Sequence, residues 1–338
     1  MRAIVYKEPG PIDRPNVLLD VDLPEPTATG RDILVEVKAV SVNPVDTKVR
    51  NGAPTLNGER RTLGYDAAGV VKAVGPDVTL FQPGDDVFYA GSIVREGTNS
   101  QFHLVDERIV AAKPKSLDWA QSAALPLTAI TAWETLFERL NIRKPVPWAA
   151  NAILIIGGAG GVGSLAVQFA RLLTDVTVIA TASRPETQSW AAEMGAHHVI
   201  DHSKPLAEQI EALGLGAPAF VFSTTHTDRH FPAIVELIAP QGRFAMIDDF
   251  ETFDVVPLKA KSVSLHWEMM FTRSLFETAD MDEQGKLLAE VAQLVDSGQV
   301  KTTVTNVLKP ISAATLTSAH AMIESNSTRG KVVLEGWE

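Results

Sequence analysis

The chain has 338 residues, no cysteine and a formal net charge of −11. Its length suits two domains, and the lack of cysteine excludes disulfides, thiolate catalysis and every cysteine-ligated metal site. The acidic balance speaks against nucleic-acid and anionic-membrane partners, and no apolar run reaches the roughly 18 residues that suggest a membrane span. The opening MRAIVYKEPG has no signal-peptide core, so a cytoplasmic location is expected.

Residues 1 to about 120 read as short strands between frequent turns. RDILVEVKAVSV (Arg31 to Val42) alternates and is β-branched. AAGVVKAVG (Ala67 to Gly75) and DDVFYAG (Asp85 to Gly91) are similar, with Pro-Gly and Gly-Pro punctuation between them. This predicts a small β-rich barrel or sandwich. Near Ser122 the character changes: AQSAALPLTAITAWETLFERL has helical spacing of Ala and Leu, interrupted at Pro126. Strand-like and helix-like stretches then alternate. AILII precedes a helix from about Gly161, VTVIATAS precedes PETQSWAAEMG, HHVID precedes PLAEQIEALG, AFVFST precedes HFPAIVELIA, and GRFAMID comes next. Repeated β-then-α at this spacing predicts an α/β doubly wound parallel sheet. From about Val300 the first style returns in TTVTNVLKP, a helix over AATLTSAHAMIES, and GKVVLEG. The expected organisation is residues 1–121 in one domain, 122–272 inserted as a second, and 273–338 returning to the first.

Gly158-Ala159-Gly160-Gly161-Val162-Gly163 fits G-x-G-x-x-G, placed after a buried-type strand and opening a helix. Residues without Cβ let a pyrophosphate approach closely, and free N–H groups at the helix start bind its charge. The end of the next strand selects the dinucleotide. An acid there would accept hydrogen bonds from both ribose hydroxyls; this chain has Ser183 and Arg184 instead. A hydroxyl and a guanidinium suit a 2′-phosphate, so NADPH is the expected cofactor.

VNPVDTKVRNG (Val42 to Gly52), GYDAAGVV (Gly64 to Val71), PGDDVFY (Pro83 to Tyr89), LPLTAITAWETLF (Leu125 to Phe137) and GGAGGVGSLAVQFAR together resemble the medium-chain dehydrogenase/reductase superfamily, in its quinone-oxidoreductase-like branch, often labelled zinc-type alcohol dehydrogenase-like. The resemblance covers nearly the whole chain. It implies a GroES-like catalytic domain, a Rossmann domain and a cleft between them. Alcohol dehydrogenases of the superfamily hold zinc with a Cys, the His of a G-H-E motif and a later Cys or Asp. Here Asn43 stands at the Cys position, the motif reads Gly64-Tyr65-Asp66, and the four-cysteine zinc lobe is absent. Neither Asn nor Tyr replaces a ligand in a site of N and S donors, so no metal is expected. His197, His198 and His202 form an H-H-x-x-x-H run beside a short strand and are read as surface histidines.

Without a Lewis acid, an electrophilic acceptor such as a quinone or enone is the tractable substrate, because it needs only hydrogen-bond donors as charge moves to oxygen. The resemblance points to Asn43 and Tyr65 as the catalytic pair, with Tyr65 either donating to the oxyanion or filling the lost metal space. It also points to Thr128, Ser223, Thr224, Met246, Ile247 and Lys331 as cofactor contacts, Lys331 at a phosphate. SVSLHWEMMF (Ser262 to Phe271) is read as cleft wall, dimer interface or core, and a homodimer is expected. The resulting expectation is an NADPH-dependent, zinc-independent reductase of quinones or activated carbonyls. A zinc-containing alcohol or aldehyde dehydrogenase and a non-catalytic NADPH-binding sensor are the competing readings.

Overall fold

A computed structural model describes residues 1–56 and 58–337. In chain order the elements are β1 (Arg2–Tyr6), β2 (Leu19–Asp22), β3 (Asp32–Val42), α1 (Pro44–Gly52), β4 (Arg61–Thr62), β5 (Asp66–Val74), β6 (Asp86–Ala90), β7 (Phe102–Asp106), β8 (Val110–Ala112), α2 (Trp119–Ala123) and α3 (Pro126–Trp133). They continue with β9 (Ala150–Ile156), α4 (Gly161–Leu173), β10 (Thr177–Thr181), α5 (Pro185–Glu193), β11 (His198–Ile200), α6 (Leu206–Ala212), β12 (Pro218–Ser223), α7 (Thr227–Leu237), β13 (Arg243–Met246) and β14 (Ser264–Trp267). The last are α8 (Thr272–Phe276), α9 (Glu283–Asp296), β15 (Val304–Leu308), α10 (Ala313–Glu324) and β16 (Lys331–Glu335). The fold is α/β, in two compact units: residues 1–130 with 271–338, and residues 131–270.

In the first unit β3 is the organising strand. It pairs antiparallel with β5, β16 and β7, within a sheet ordered β15-β16-β3-β5-β6-β8; a second sheet is ordered β2-β1-β4. The alternation seen in Arg31 to Val42 sends Ile33, Val35 and Val37 into one core with Ile4, Tyr6 and Val332, and a register shift after Val37 brings Val40 into it as well. Gly69, opposite Val37, is required by that pairing: any Cβ there would run into the backbone carbonyl of Glu36. α9 buries Leu287, Val291 and Val295, one helical face at a spacing of four residues.

The second unit is a six-stranded, all-parallel sheet ordered β11-β10-β9-β12-β13-β14. From β9 the chain winds outward through β10 and β11, then returns to the other side through β12, β13 and β14. The loop after β9 therefore stands at the topological switch point. The last residues of α3 continue as wider π-helical turns over Glu134–Arg139, and Arg139 Nε donates to buried Glu268 at 2.7 Å. The aromatic segment at Ser262 to Phe271 supplies the edge strand β14, with Trp267 and Met269 exposed and Met270 and Phe271 buried.

Candidate functional site

In the first unit, polar side chains meet where β3 ends, β5 begins and β16 begins. Asn43 follows β3 and opens α1. Its backbone N–H donates to Asp46 Oδ2 at 2.7 Å, closing the first turn of the helix. Its amide Nδ2 donates to Asp66 Oδ2 at 2.8 Å. Asp66 also accepts from the Leu127 backbone N–H at 2.7 Å, which ties the start of α3 to β5. Lys331, the first residue of β16, points its ammonium into the same place. It donates to Asp66 Oδ2 at 3.0 Å, to the Val42 carbonyl at 3.2 Å and to Asn43 Oδ1. Asn43, Asp46, Asp66 and Lys331 are all buried. Burial pushes the Asp46 carboxyl up to about 7, with nearby Asp66 adding to the rise and the Asn43 N–H, Lys331 and the Gly64 N–H opposing it.

Lys331 thus uses its three N–H bonds on protein acceptors and has none left for a phosphate. The phosphate contact expected of it has no donor to serve it in this arrangement, because β16 runs antiparallel beside β3 and delivers the ammonium to Asn43. Thr128 is likewise turned inward, its hydroxyl donating to the Leu125 carbonyl at 3.0 Å.

Tyr65 lies in the link between β4 and β5. Its ring is buried and meets Phe271 edge to face at 4.8 Å. Its hydroxyl has no hydrogen-bond partner, and neither has the buried Nε of Arg61. Burial raises the phenol above its ordinary value; Asp46 adds to this and Arg61 opposes it. A phenol so placed keeps its proton and is a donor, not a base. Arg61 was not singled out by sequence reasoning. Its only signal is a basic residue four positions before Tyr65, and a two-residue strand gives no period by which to orient it.

The donor set was tested against the zinc that the G-H-E comparison raises. Asn43 Oδ1 faces an ammonium, Asp66 is saturated by three donors, and Tyr65 is held protonated. A dication would have to displace Lys331 and deprotonate a buried phenol, so these residues do not fit a zinc site. Among the described residues no group of three or more His, Asp or Glu is arranged to hold a metal ion.

In the second unit the glycine loop has the geometry its sequence predicts. β9 ends at Ile156, Gly157 adopts φ +80°, and α4 starts after Gly160. A Cβ on Gly158 would lie 2.7 Å from the Ala180 Cβ, and one on Gly163 would run into the Gly157 carbonyl oxygen. Gly160, Gly161 and Val162 form the turn and first residues of α4, whose unpaired N–H groups present partial positive charge. Ser183 and Arg184 follow β10. Arg184 caps α5 and pairs with Glu186 at 2.9 Å, both partly exposed. Ser223 and Thr224 end β12 with their hydroxyls engaged: Ser223 Oγ accepts from Thr227 at 2.7 Å, and Thr224 donates to the Ile156 carbonyl at 2.8 Å. Met246 is buried at the end of β13, with Ile247 following. The three neighbouring histidines in sequence part company. His197 Nδ1 accepts the Val178 N–H at 2.9 Å, and His202 Nδ1 meets Thr181 Oγ1 at 3.0 Å.

Residues 29–115 match the alcohol dehydrogenase GroES-like domain, and residues 194–334 match the zinc-binding dehydrogenase family. A zinc-type alcohol dehydrogenase-like protein of Staphylococcus aureus is 41% identical over 99% of both chains. The chain belongs to the medium-chain dehydrogenase/reductase superfamily. It is an oxidoreductase of that superfamily's zinc-type alcohol dehydrogenase-like group. Another relative, the mitochondrial NAD(P)H oxidoreductase RTN4IP1 of Homo sapiens, is 30% identical over 90% of this chain and 81% of its own. Among solved structures, a zinc-dependent alcohol dehydrogenase-type protein of Rhizobium etli superimposes with a TM-score of 0.98. It is 65% identical and covers 100% of this chain and 98% of its own. No helix among the described residues is long and apolar enough to cross a membrane.

Proposed function

We propose that this oxidoreductase is an NADPH-dependent, zinc-independent reductase of quinones or α,β-unsaturated carbonyl compounds. The observation that carries the reading is the lysine ammonium bound by Asn43 and Asp66. A superfamily member with this arrangement has its local positive charge supplied by a side chain already bonded to protein, so substrate oxygen must be met by hydrogen-bond donors. Tyr65 O–H and Arg61 Nε–H are two such donors, buried and without partners. In water-poor surroundings donors of this kind favour an oxygen that becomes negative during the reaction. Oxidation of an unactivated alcohol would instead require a base or metal, which a protonated phenol does not replace.

When bound, the reduced nicotinamide supplies the hydride. The chain's own contributions are to hold pyrophosphate on the N–H groups of the glycine loop and to hold a 2′-phosphate with Ser183 and Arg184. The relative named as an NAD(P)H oxidoreductase agrees with that cofactor class. The exposed edge of β14, with Trp267 outermost, is the surface we assign to a homodimer contact, to be checked by light scattering.

The test is NADPH oxidation against a panel of quinones, enones, aldehydes and ketones, with metal content measured on the same untagged protein. Turnover of quinones or enones by metal-free enzyme is expected. Stoichiometric zinc with alcohol oxidation would establish instead the activity that the name of the Rhizobium etli protein implies. Tight NADPH binding with no turnover on any acceptor would identify a sensor.

A further inference from the structure

His202, His226 and His230 are dispersed in sequence, yet the winding of the sheet gathers them at one place in the second unit. His202 follows β11, His226 follows β12 in a left-handed conformation (φ +49°), and His230 lies one turn into α7. The rings of His202 and His230 are 6.0 Å apart, and all three side chains are half-buried. His202 is also wired to the glycine loop. Thr181, the last residue of β10, accepts the Gly157 N–H at 3.1 Å and meets His202 Nδ1 at 3.0 Å. The Thr181 hydroxyl thus links the glycine loop to the His202 imidazole.

The charged groups around the cluster come from four segments. Arg184 after β10 and His226 act on His202, and Asp201 opposes them. Asp201 itself is engaged by Ser203 and Lys204. His202, His226 and Arg229 act on His230, and Asp228 opposes them. Asp248 accepts the Thr227 N–H at 2.8 Å and stands at the base of α7. Burial and this mutual repulsion hold His202 and His230 below the ordinary histidine value. Several imidazoles beside a guanidinium, at the end of the strand that selects the dinucleotide, form a latent cationic pocket. A dianion brought there would compete with Glu186 for Arg184 and give the imidazoles a counter-charge once they are protonated.

We propose that His202, His226 and His230 form, with Arg184, a proton-coupled binding site for the phosphate monoester at the adenosine end of the dinucleotide, so that preference for the phosphorylated cofactor strengthens as pH falls. The inference rests on the NADPH reading given above. Ligand binding draws protons onto the imidazoles, and the linkage runs in both directions: protonation favours the phosphate, and the phosphate favours protonation.

Calorimetry on the full chain with 2′,5′-ADP and with 5′-AMP, in two buffers of different ionisation enthalpy, separates the possibilities. Between pH 8.5 and 7 a 2′-phosphate stays largely dianionic, so proton uptake reports the protein. Binding of 2′,5′-ADP is expected to take up protons and to tighten by about threefold or more over that range, one linked proton setting a ceiling of about tenfold per pH unit. 5′-AMP, which shares the adenosine and the 5′-phosphate but lacks the 2′-phosphate, should do neither. The triple variant His202→Asn, His226→Asn, His230→Gln should abolish the pH dependence of 2′,5′-ADP binding. His230→Gln alone, on the half-buried face of α7, should reduce the uptake without disturbing Thr181. A constant preference for 2′,5′-ADP with no proton uptake would overturn this inference and leave the NADPH reading intact. Equal affinity for the two ligands at every pH would overturn both.

Discussion

Asn43, Asp46, Asp66 and Lys331 in the first unit leave almost no hydrogen-bonding capacity unused, whereas His202, His226 and His230 in the second sit half-buried, with the rings of His202 and His230 6.0 Å apart. The first cluster is closed by backbone N–H groups, an amide and an ammonium. A cluster satisfied from within resists any new ion. The second cluster has like groups facing one another and only peripheral carboxylates, so it gains from a ligand. A saturated network specifies structure, and an unsaturated one waits for chemistry.

The largest test of this contrast is Lys331→Met. It strands the Asp66 carboxylate in the interior and should cost about 3–5 kcal/mol of stability, read from the urea midpoint. A loss below about 1 kcal/mol would mean that the first cluster is not closed in the way described. Next comes acid. His103, buried in the first unit, accepts from the Tyr89 hydroxyl through Nδ1 and donates from Nε2 to the Glu96 carbonyl. Burial lowers it to about 4, so its contribution is fully present above its unfolded value near 6.5 and is lost as pH falls towards 4. His103→Gln should flatten that acid limb more than His230→Gln, because His103 is fully buried and His230 only half-buried.

Tyr65→Phe sharpens the comparison by separating stability from turnover. Removing a buried hydroxyl without a partner should leave stability equal or higher by about 1 kcal/mol. Loss of a hydrogen bond to developing charge, worth about 1.5–3 kcal/mol, should lower kcat by about ten- to hundredfold, with NADPH affinity unchanged. The smallest effect is expected from Arg184→Ala. Its side chain is partly exposed, so stability should stay within about 0.5 kcal/mol, while the NADPH-to-NADH affinity ratio falls by about tenfold.

What was legible beforehand follows from how local each signal is. The glycine loop lies between its own strand and helix, and the β-then-α rhythm from Ala152 onwards repeats at short range, so the parallel sheet could be read directly. α9 carries Leu287, Val291 and Val295 on one face, a helical period set just ahead of the strand-like TTVTNVLKP. The site depends on distance. Lys331 reaches Asn43 across 288 residues, and nothing near Lys331 indicates whether a strand-end lysine turns inward. His202, His226 and His230 look like scattered surface residues until the reversal of strand order at β9 assembles them. Arg61 and Tyr65 acquire meaning only from burial without partners, which no pattern of residue types encodes.

The contact between Lys331 and Asp66 joins positions 265 residues apart, and the intervening chain includes the whole second unit. At the roughly 5–20 residues per second of protein synthesis, the carboxylate is made some tens of seconds before its counter-ion. The parallel sheet has every residue it needs well before then, while β3 waits for β16 to pair with its free edge. On the ribosome, therefore, the unit begun first is finished last, and a premature stop just upstream of Lys331 would release a molecule with a folded dinucleotide domain and an exposed, unneutralised β-sheet edge.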